Sequence, residues 1–402
     1  MRIIVQKFGG TSVATADGRR HVADRITEAV EAGASPVVVV SAMGRAGDPY
    51  ATDTLIQLAT ALSPDLAPRE LDLLMSCGEL ISSVVMTATL QARSLPATAL
   101  TGGQAGIRTD DSFGSAHILN VDPEPLLNLL RRGLIPVVAG FQGTTGKGQT
   151  TTLGRGGSDT TASALGGALQ AEVVEIYTDV DGVKTADPRL VPDARTLSVT
   201  TYDEIAQMAH YGAKVVHPRA VEIAMQHLVP LRIRSTFDPS PGTLITSSAL
   251  APGAWDQVGT PQPVTGVTHV TGLCQVALTG AEEGFVKAFR ALADVGVSVD
   301  LINLSPGLCR FCVEERKAER ARAILCELGL EVALRGDVAK VSVVGSGMRG
   351  RPGVMAIVAE ALARAGVLIL QTVDSHVTIS CLVEAKDLKV AAQALHAAFT
   401  LR

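Results

Sequence analysis

Residues 1–12, MRIIVQKFGGTS, carry an apolar β-branched run that ends at a lysine and opens into a Gly-Gly turn. Such a run reads as a buried strand, and the glycines and hydroxyls after it read as a strand-end turn leading into a helix. The rhythm continues outward from there. A helical pattern near 14–32 leads to PVVVVSA at 36–42, and a second near 69–92 precedes IPVVAGFQG at 135–143. A helix at about 159–169, VVEIYTDVDG at 173–182, helices at 202–209 and 218–226, and PLRIRST at 230–236 complete the series. Strands alternating with helices predict a wound α/β domain with a mostly parallel sheet. Of 402 residues, 47% are hydrophobic but only 3% aromatic, so the core is built of Val, Leu, Ile and Ala, as parallel strands under helices require. Ligands of such sheets sit beyond the carboxyl ends of strands, which places the expected cleft near Ser41, Gly140 and Thr178.

The composition changes at 238–263, DPSPGTLITSSALAPGAWDQVGTPQP, which reads as a domain boundary. Beyond it lies an internal repeat: AFRALADVGVSVDLIN at 288–303 matches IVAEALARAGVLILQTV at 357–373. Each copy reads strand, helix, strand, strand, helix, strand, a ferredoxin-like outline in which one copy can borrow a strand from the other. The expected division is 1–246, a linker at 247–263, then 264–337 and 338–402. A net charge of −5 without long runs of one sign offers no footprint for nucleic acid or an anionic membrane. The start, MRIIVQKFGG, shows no signal segment, and charges or glycines interrupt every apolar stretch, so a cytoplasmic protein without a membrane span is expected. The six cysteines are scattered and read as free thiols.

Several segments suggest chemistry. In Lys7-Phe8-Gly9-Gly10-Thr11-Ser12, glycines let backbone amides approach an anion and the lysine adds a mobile positive charge, an arrangement suited to a polyphosphate. A tight turn with a surface lysine is the plainer reading of that hexapeptide. In TLGRGGSDTT at 152–161, Ser158 or Asp159 can simply cap the helix, but capping does not require Arg155, whose guanidinium can grip a carboxylate in bidentate fashion. In YTDVDGVKTADPR at 177–189, carboxylates can hold a ribose or Mg²⁺ and Arg189 can approach phosphates; an ordinary Asp-Gly turn is the alternative. Ser41, Thr52, Asp53, Glu79 and Lys214 stand at strand ends or helix starts of the same domain. Cys309 and Cys312 form a lone CxxC without a second ligand pair, and His210, His217 and His376 lack metal spacing, so no resident metal site is expected. Neither GxSxG nor a GxGxxG after the first strand is present, which argues against a serine hydrolase and a nicotinamide-dependent oxidoreductase.

Taken in order, KFGGTSV, VVVVSAMG, GRGGSDTTA, YTDVDGVKTADPR and YGAKVVHPRAVEIA resemble the aspartate kinase family of the amino-acid kinase superfamily, and MGRAGDPYATDTL resembles its Bacillus-type members. The resemblance implies a three-layer kinase domain followed by two ACT domains, with transfer of the ATP γ-phosphate to the β-carboxylate of L-aspartate. It assigns Lys7 to the transferring phosphoryl group, with Phe8, Gly9 and Gly10 beside the nucleotide and Asp159 positioning Lys7. Glu79 is implied to take the aspartate ammonium and Arg155 its α-carboxylate, with Ser41, Thr52, Gly156, Gly157 and Ser158 completing the pocket. Thr178, Asp179, Asp187, Arg189 and Lys214 are implied for ATP, with Mg²⁺ bound alongside it. Effector contacts are expected at Ser298, Val299, Asp300 and Asn303 in the first ACT copy, and at Gly353, Val354, Thr372, Asp374 and His376 in the second. The effector is expected to be lysine, threonine or meso-diaminopimelate, and the chain is expected to form a homo-oligomer, a dimer through its ACT regions. The first copy has AEEGF at 281–285 where relatives carry Pro-Gly, which makes one altered effector site an expectation. No methionine lies between Met225 and Met348, so a single type of subunit is expected, and by length no fused homoserine dehydrogenase is expected. A neighbouring kinase acting on acetylglutamate, glutamate or UMP is disfavoured by the ACT repeat and by the pairing of Glu79 with Arg155. A non-catalytic amino-acid sensor is disfavoured by Lys7, Arg155 and Asp159 occurring together.

Overall fold

The computed structural model describes residues 1–210, 215–247, 263–280, 282–348 and 350–401. Lys214, most of the 247–263 linker and Ala281 of the AEEGF departure lie outside the described residues. The chain forms two compact units. The first takes Met1–Val183, Thr196–Ala209 and the described part of 214–254; the second takes Lys184–Arg195 and the described residues from 263 onward.

In the first unit an eight-stranded sheet runs in the order Val199–Thr201, Thr243–Thr246, Leu231–Ser235, Val173–Thr178, Ile3–Phe8, Ser35–Val40, Ile135–Ala139, Ala97–Leu100. All its pairings are parallel except that of 231–235 with 243–246. The continuous apolar runs of the sequence are buried on both faces, as in Val37–Val40 and Val137–Ala139. A small four-stranded sheet, Ile118–Val121, Ile107–Thr109, Gln142–Thr144 and Thr150–Thr152, was not legible as strands, because its members are only three or four residues long, too short to show a period. The expected helices are present at Ala16–Glu31, Pro68–Gln91, Gly157–Ala168, Tyr202–His210 and Pro218–Gln226. Pro68–Gln91 is long and apolar enough by length and composition to cross a membrane. It buries Asp72 and Glu79 among its inner residues, which marks it as a core helix of this unit.

The second unit holds one antiparallel six-stranded sheet, Asp300–Ser305, Leu308–Glu314, Gly266–Thr279, Glu331–Val344, Thr378–Glu384, Gln371–Asp374. Two of its strands are 14 residues long and each serves both repeats. Residues 273–279 pair with 331–338 in the first copy, while 266–270 pair with 340–344 in the second. The second copy therefore takes its last strand from ahead of the first. The residues that change partner coincide with register shifts between Val270 and Gln275, where the long strand bends. Helices Glu282–Asp294, Ala318–Glu327, Val354–Arg364 and Leu388–Ala398 cover the sheet.

Lys184–Arg195 interrupts the first unit in sequence and joins the core of the second. Ala186 and Val191 are buried with Val267, Val341 and Leu395. Thr185 Oγ1 shares a hydrogen bond of 3.0 Å with the buried His396, and Gln393 donates to the Leu190 carbonyl at 2.8 Å. A domain limit drawn along the sequence does not anticipate this excursion, because Val, Ala and Leu at 183–194 carry no mark of which core they enter.

Candidate active site

The first strand, Ile3–Phe8, lies at the centre of the large sheet and delivers Lys7 and the Gly-Gly turn at its carboxyl end. A Cβ on Gly10 would stand 2.5 Å from the Ala42 carbonyl oxygen, so only glycine lets the 41–44 turn close on it. That turn is held by Ser41 N–H donating to the Phe8 carbonyl at 3.1 Å and Gly44 N–H donating to the Gly10 carbonyl at 3.1 Å. The neighbouring strands thus end in turns that lock together, and a cleft of about 470 Å³ opens beyond them.

Lys7, Gly10, Ser41, Thr52, Glu79, Arg155, Gly156, Gly157, Ser158 and Asp159 all line this cleft. Lys7 Nζ pairs with Asp159 at 2.6 Å, and both side chains are largely shielded from solvent. Asp159 lies in the first turn of helix Gly157–Ala168, where the helix dipole favours a carboxylate. The capping alternative for Ser158 and Asp159 does not hold: Gly156 is the N-cap, and no side chain caps the helix. Gly156 is held left-handed at φ 69°, and a Cβ there would meet the His217 ring at 2.1 Å, so His217 acts as packing under the turn.

Glu79 reaches the cleft from Pro68–Gln91 and is 3% exposed. It accepts one hydrogen bond, from Ala42 N–H at 3.1 Å, while Oε2 is buried without a partner. Burial, only partly offset by the backbone bond, pushes its carboxyl up to about 8. An acid this costly to ionise, with an unpaired oxygen in a cleft, is a site that a cation completes.

The residues assigned to the nucleotide converge less. Phe8 is a core residue, fully buried with its ring stacked on Tyr177 at 4.7 Å, so its side chain offers a nucleotide nothing. Gly9 N–H donates to the Tyr177 carbonyl at 3.3 Å, a long bond that must loosen before this amide serves a phosphate. Thr178 and Asp179 stand at the end of Val173–Thr178, the strand beside Lys7, and Asp179 pairs with the cleft residue Arg45 at 3.0 Å. Asp187 and Arg189 belong to the second unit. There Arg189 forks onto Asp187 with contacts down to 2.6 Å, and that bond holds the Asp187 carboxyl below the usual range. In the Asp-Gly turn, Asp181 accepts from Thr196 Oγ1 at 2.8 Å.

Among the effector candidates, Asp300 pairs with the buried Lys340 ammonium. Gln371, next to Thr372, donates to the Leu301 carbonyl and accepts from Gln275 at 2.7 Å, which brings the 300–305 and 371–374 edges together. Ser298, Asn303, Gly353, Asp374 and His376 are exposed, Val299 is half-buried, and Val354 starts helix Val354–Arg364. Arg45, Asp72 and Arg219 were not singled out from the sequence. An acid seven residues ahead of Glu79 on one helix is a signal that could have found Asp72.

Residues 2–235 match the Amino acid kinase family, and residues 334–397 match the ACT domain. Aspartokinase 1 of Bacillus subtilis is 48% identical, covering 100% of both chains, and the aspartokinase of Thermus thermophilus is 41% identical, covering 100% of this chain and 99% of its own. Among solved structures, E. coli aspartokinase III in complex with aspartate and ADP superposes with a TM-score of 0.77 at 27% identity, covering 99% of each chain.

Proposed function

The chain belongs to the amino acid kinase family as one of its aspartokinases, and we propose that it transfers the γ-phosphoryl group of ATP to the β-carboxylate of L-aspartate, giving 4-phospho-L-aspartate. The observation that carries the reading is the Glu79 carboxyl, buried and half unsatisfied, in one cleft with Arg155 and the Lys7–Asp159 pair. Those groups match an α-amino acid that bears one ammonium and two carboxylates. Glu79 takes the ammonium, Arg155 the α-carboxylate, and the β-carboxylate is left beside Lys7. Ser41, Thr52 and Ser158 offer hydroxyls, and Gly156 and Gly157 leave space.

The β-carboxylate is already ionised at neutral pH, so transfer needs alignment and charge neutralisation rather than a base. One carboxylate oxygen forms a bond to the γ-phosphorus, the bond from that phosphorus to the β,γ-bridging oxygen breaks, and ADP leaves. Lys7, held by Asp159, neutralises charge on the moving phosphoryl oxygens. Mg²⁺ is proposed to arrive with the phosphates of the incoming ATP, where it would neutralise their charge. Thr178, Asp179, Asp187, Arg189 and Lys214 are proposed for the nucleotide.

The finer reading also includes kinase and ACT limits at 1–246, 264–337 and 338–402. It places the enzyme in the cytoplasm, as an ACT-linked dimer whose feedback effector is lysine, threonine or meso-diaminopimelate, at the entry to biosynthesis of lysine, diaminopimelate, threonine and methionine. E. coli aspartokinase III also has a structure with lysine and aspartate, TM-score 0.76, which supports an amino-acid effector here. The test is trapping of the acyl phosphate as its hydroxamate from L-aspartate, ATP and Mg²⁺, with each amino acid added in turn. Aspartate-dependent hydroxamate is expected; ATP turnover that ignores aspartate would refute the acceptor.

A further inference from the structure

Asp72 is a charged side chain with no access to solvent, and it does not line the cleft. Nevertheless it makes four hydrogen-bond contacts with three donors on two segments that lead into the cleft wall. Gly114 N–H donates to Oδ1 and Oδ2, both at 3.0 Å, Thr152 N–H donates to Oδ2 at 2.8 Å, and Thr152 Oγ1 donates to Oδ1 at 2.7 Å. Thr152 in turn accepts from Ala116 N–H at 2.9 Å through its carbonyl, so its N–H, hydroxyl and carbonyl are all committed. Arg219 ties the same two segments, donating to the Leu153 and Ala116 carbonyls at 3.2 Å each. Three residues beyond Thr152 stands Arg155, an exposed side chain on the cleft wall.

Asp72 and Glu79 are seven residues apart, two turns of one helix, and both are buried on its inner side. We propose that Asp72 is a positioning residue for the acceptor pocket: it sets the 152–155 turn, and through that turn the Arg155 guanidinium, at a fixed reach from Glu79. A single rigid helix then meters the spacing between the group that takes the ammonium and the group that takes the α-carboxylate. A carboxylate suits the task because both its oxygens only accept, so it can take all three donors at once, and charge-assisted bonds resist stretching. The inference deepens the reading above and rests on it, since it needs Arg155 to hold the α-carboxylate.

The experiment measures KM for L-aspartate, for its α-carboxamide and for ATP in Asp72→Asn, Thr152→Val and Arg155→Ala, and in Asp72→Asn combined with Arg155→Ala. Asp72→Asn is expected to raise KM for aspartate about tenfold, as for one impaired charge-assisted contact, with KM for ATP unchanged. Thr152→Val, which removes only the hydroxyl donor, is expected to act in the same direction by about threefold, and it carries the test should Asp72→Asn fail to fold. Neither substitution is expected to change KM for the α-carboxamide, and Asp72→Asn is expected to add nothing once Arg155 is alanine. Equal effects on aspartate and its α-carboxamide, or an effect that persists without Arg155, would overturn the proposal and leave Asp72 a fold staple. Failure of Arg155→Ala itself to raise KM for aspartate would instead sink the assignment of Arg155.

Discussion

The acceptor side and the nucleotide side of this enzyme are built on different principles. Every residue assigned to aspartate lines one cleft in the first unit, fixed by strand-end turns and one long helix. The residues assigned to ATP are divided. Thr178 and Asp179 end a strand of the first unit, whereas Asp187 and Arg189 sit in a segment whose Ala186 and Val191 are buried in the core of the second. The proposed acceptor set thus belongs to the first unit alone, while a stretch of the proposed nucleotide set is carried by the packing of the second. A ligand that repacks the second core has a physical route to ATP affinity through 184–195.

This contrast can be broken in four ways. Lys7→Ala is expected to have the largest effect, a fall in kcat of about a thousandfold, since it removes the preorganised charge at the phosphoryl group. Steady-state hydroxamate kinetics check it, and a loss of less than tenfold would remove Lys7 from the chemistry. Next, Glu79→Gln is expected to raise KM for aspartate by about a hundredfold, with KM for ATP nearly unchanged. Movement of both constants together would erase the division between the two sides.

The third test is pH. With its carboxyl near 8, Glu79 is mostly neutral in the unliganded cleft at pH 7 and must ionise to hold an ammonium. KM for aspartate is expected to fall as pH rises toward 8 and to level off above it, with a limiting slope of about tenfold per unit that Glu79→Gln abolishes. Stability follows the opposite sign. A carboxyl raised from 4.5 to about 8 on folding stabilises the protonated native state below the unfolded value, and that contribution is lost as pH climbs through 8. Thermal melts of wild type against Glu79→Gln across pH 5–9, without ligand, are expected to show this difference, and saturating aspartate is expected to diminish it. The smallest effect belongs to the other side. Gln393→Ala and Thr185→Val, which loosen 184–195 from its core, are expected to change KM for ATP about threefold and to alter the response to an effector. A matching change in KM for aspartate would show that the acceptor side is not insulated.

Much of this molecule was legible in the chain itself. Apolar runs such as Val37–Val40 and Val173–Ile176 announce buried parallel strands, and Gly10, Gly156 and Gly157 mark turns where neighbours approach too closely for a Cβ. Lys7, Arg155 and Asp159 could be singled out by their types and their places after strands or at a helix start, whereas Glu79 drew its role from the family resemblance. What the tertiary structure alone decided depends on long-range packing. The Phe8 ring is committed to the core because Tyr177 stacks on it from the neighbouring strand. The 266–279 strand is divided between two repeats because a register shift lets it bend. The helix end at Gly156 is set by His217, 61 positions later in the chain, and Asp72 finds its donors at 114 and 152. The segment 184–195 leaves one core for another without any change in local composition. Periodicity and glycine report what a residue demands of its immediate surroundings; which distant partner satisfies that demand is settled only when the whole chain has packed.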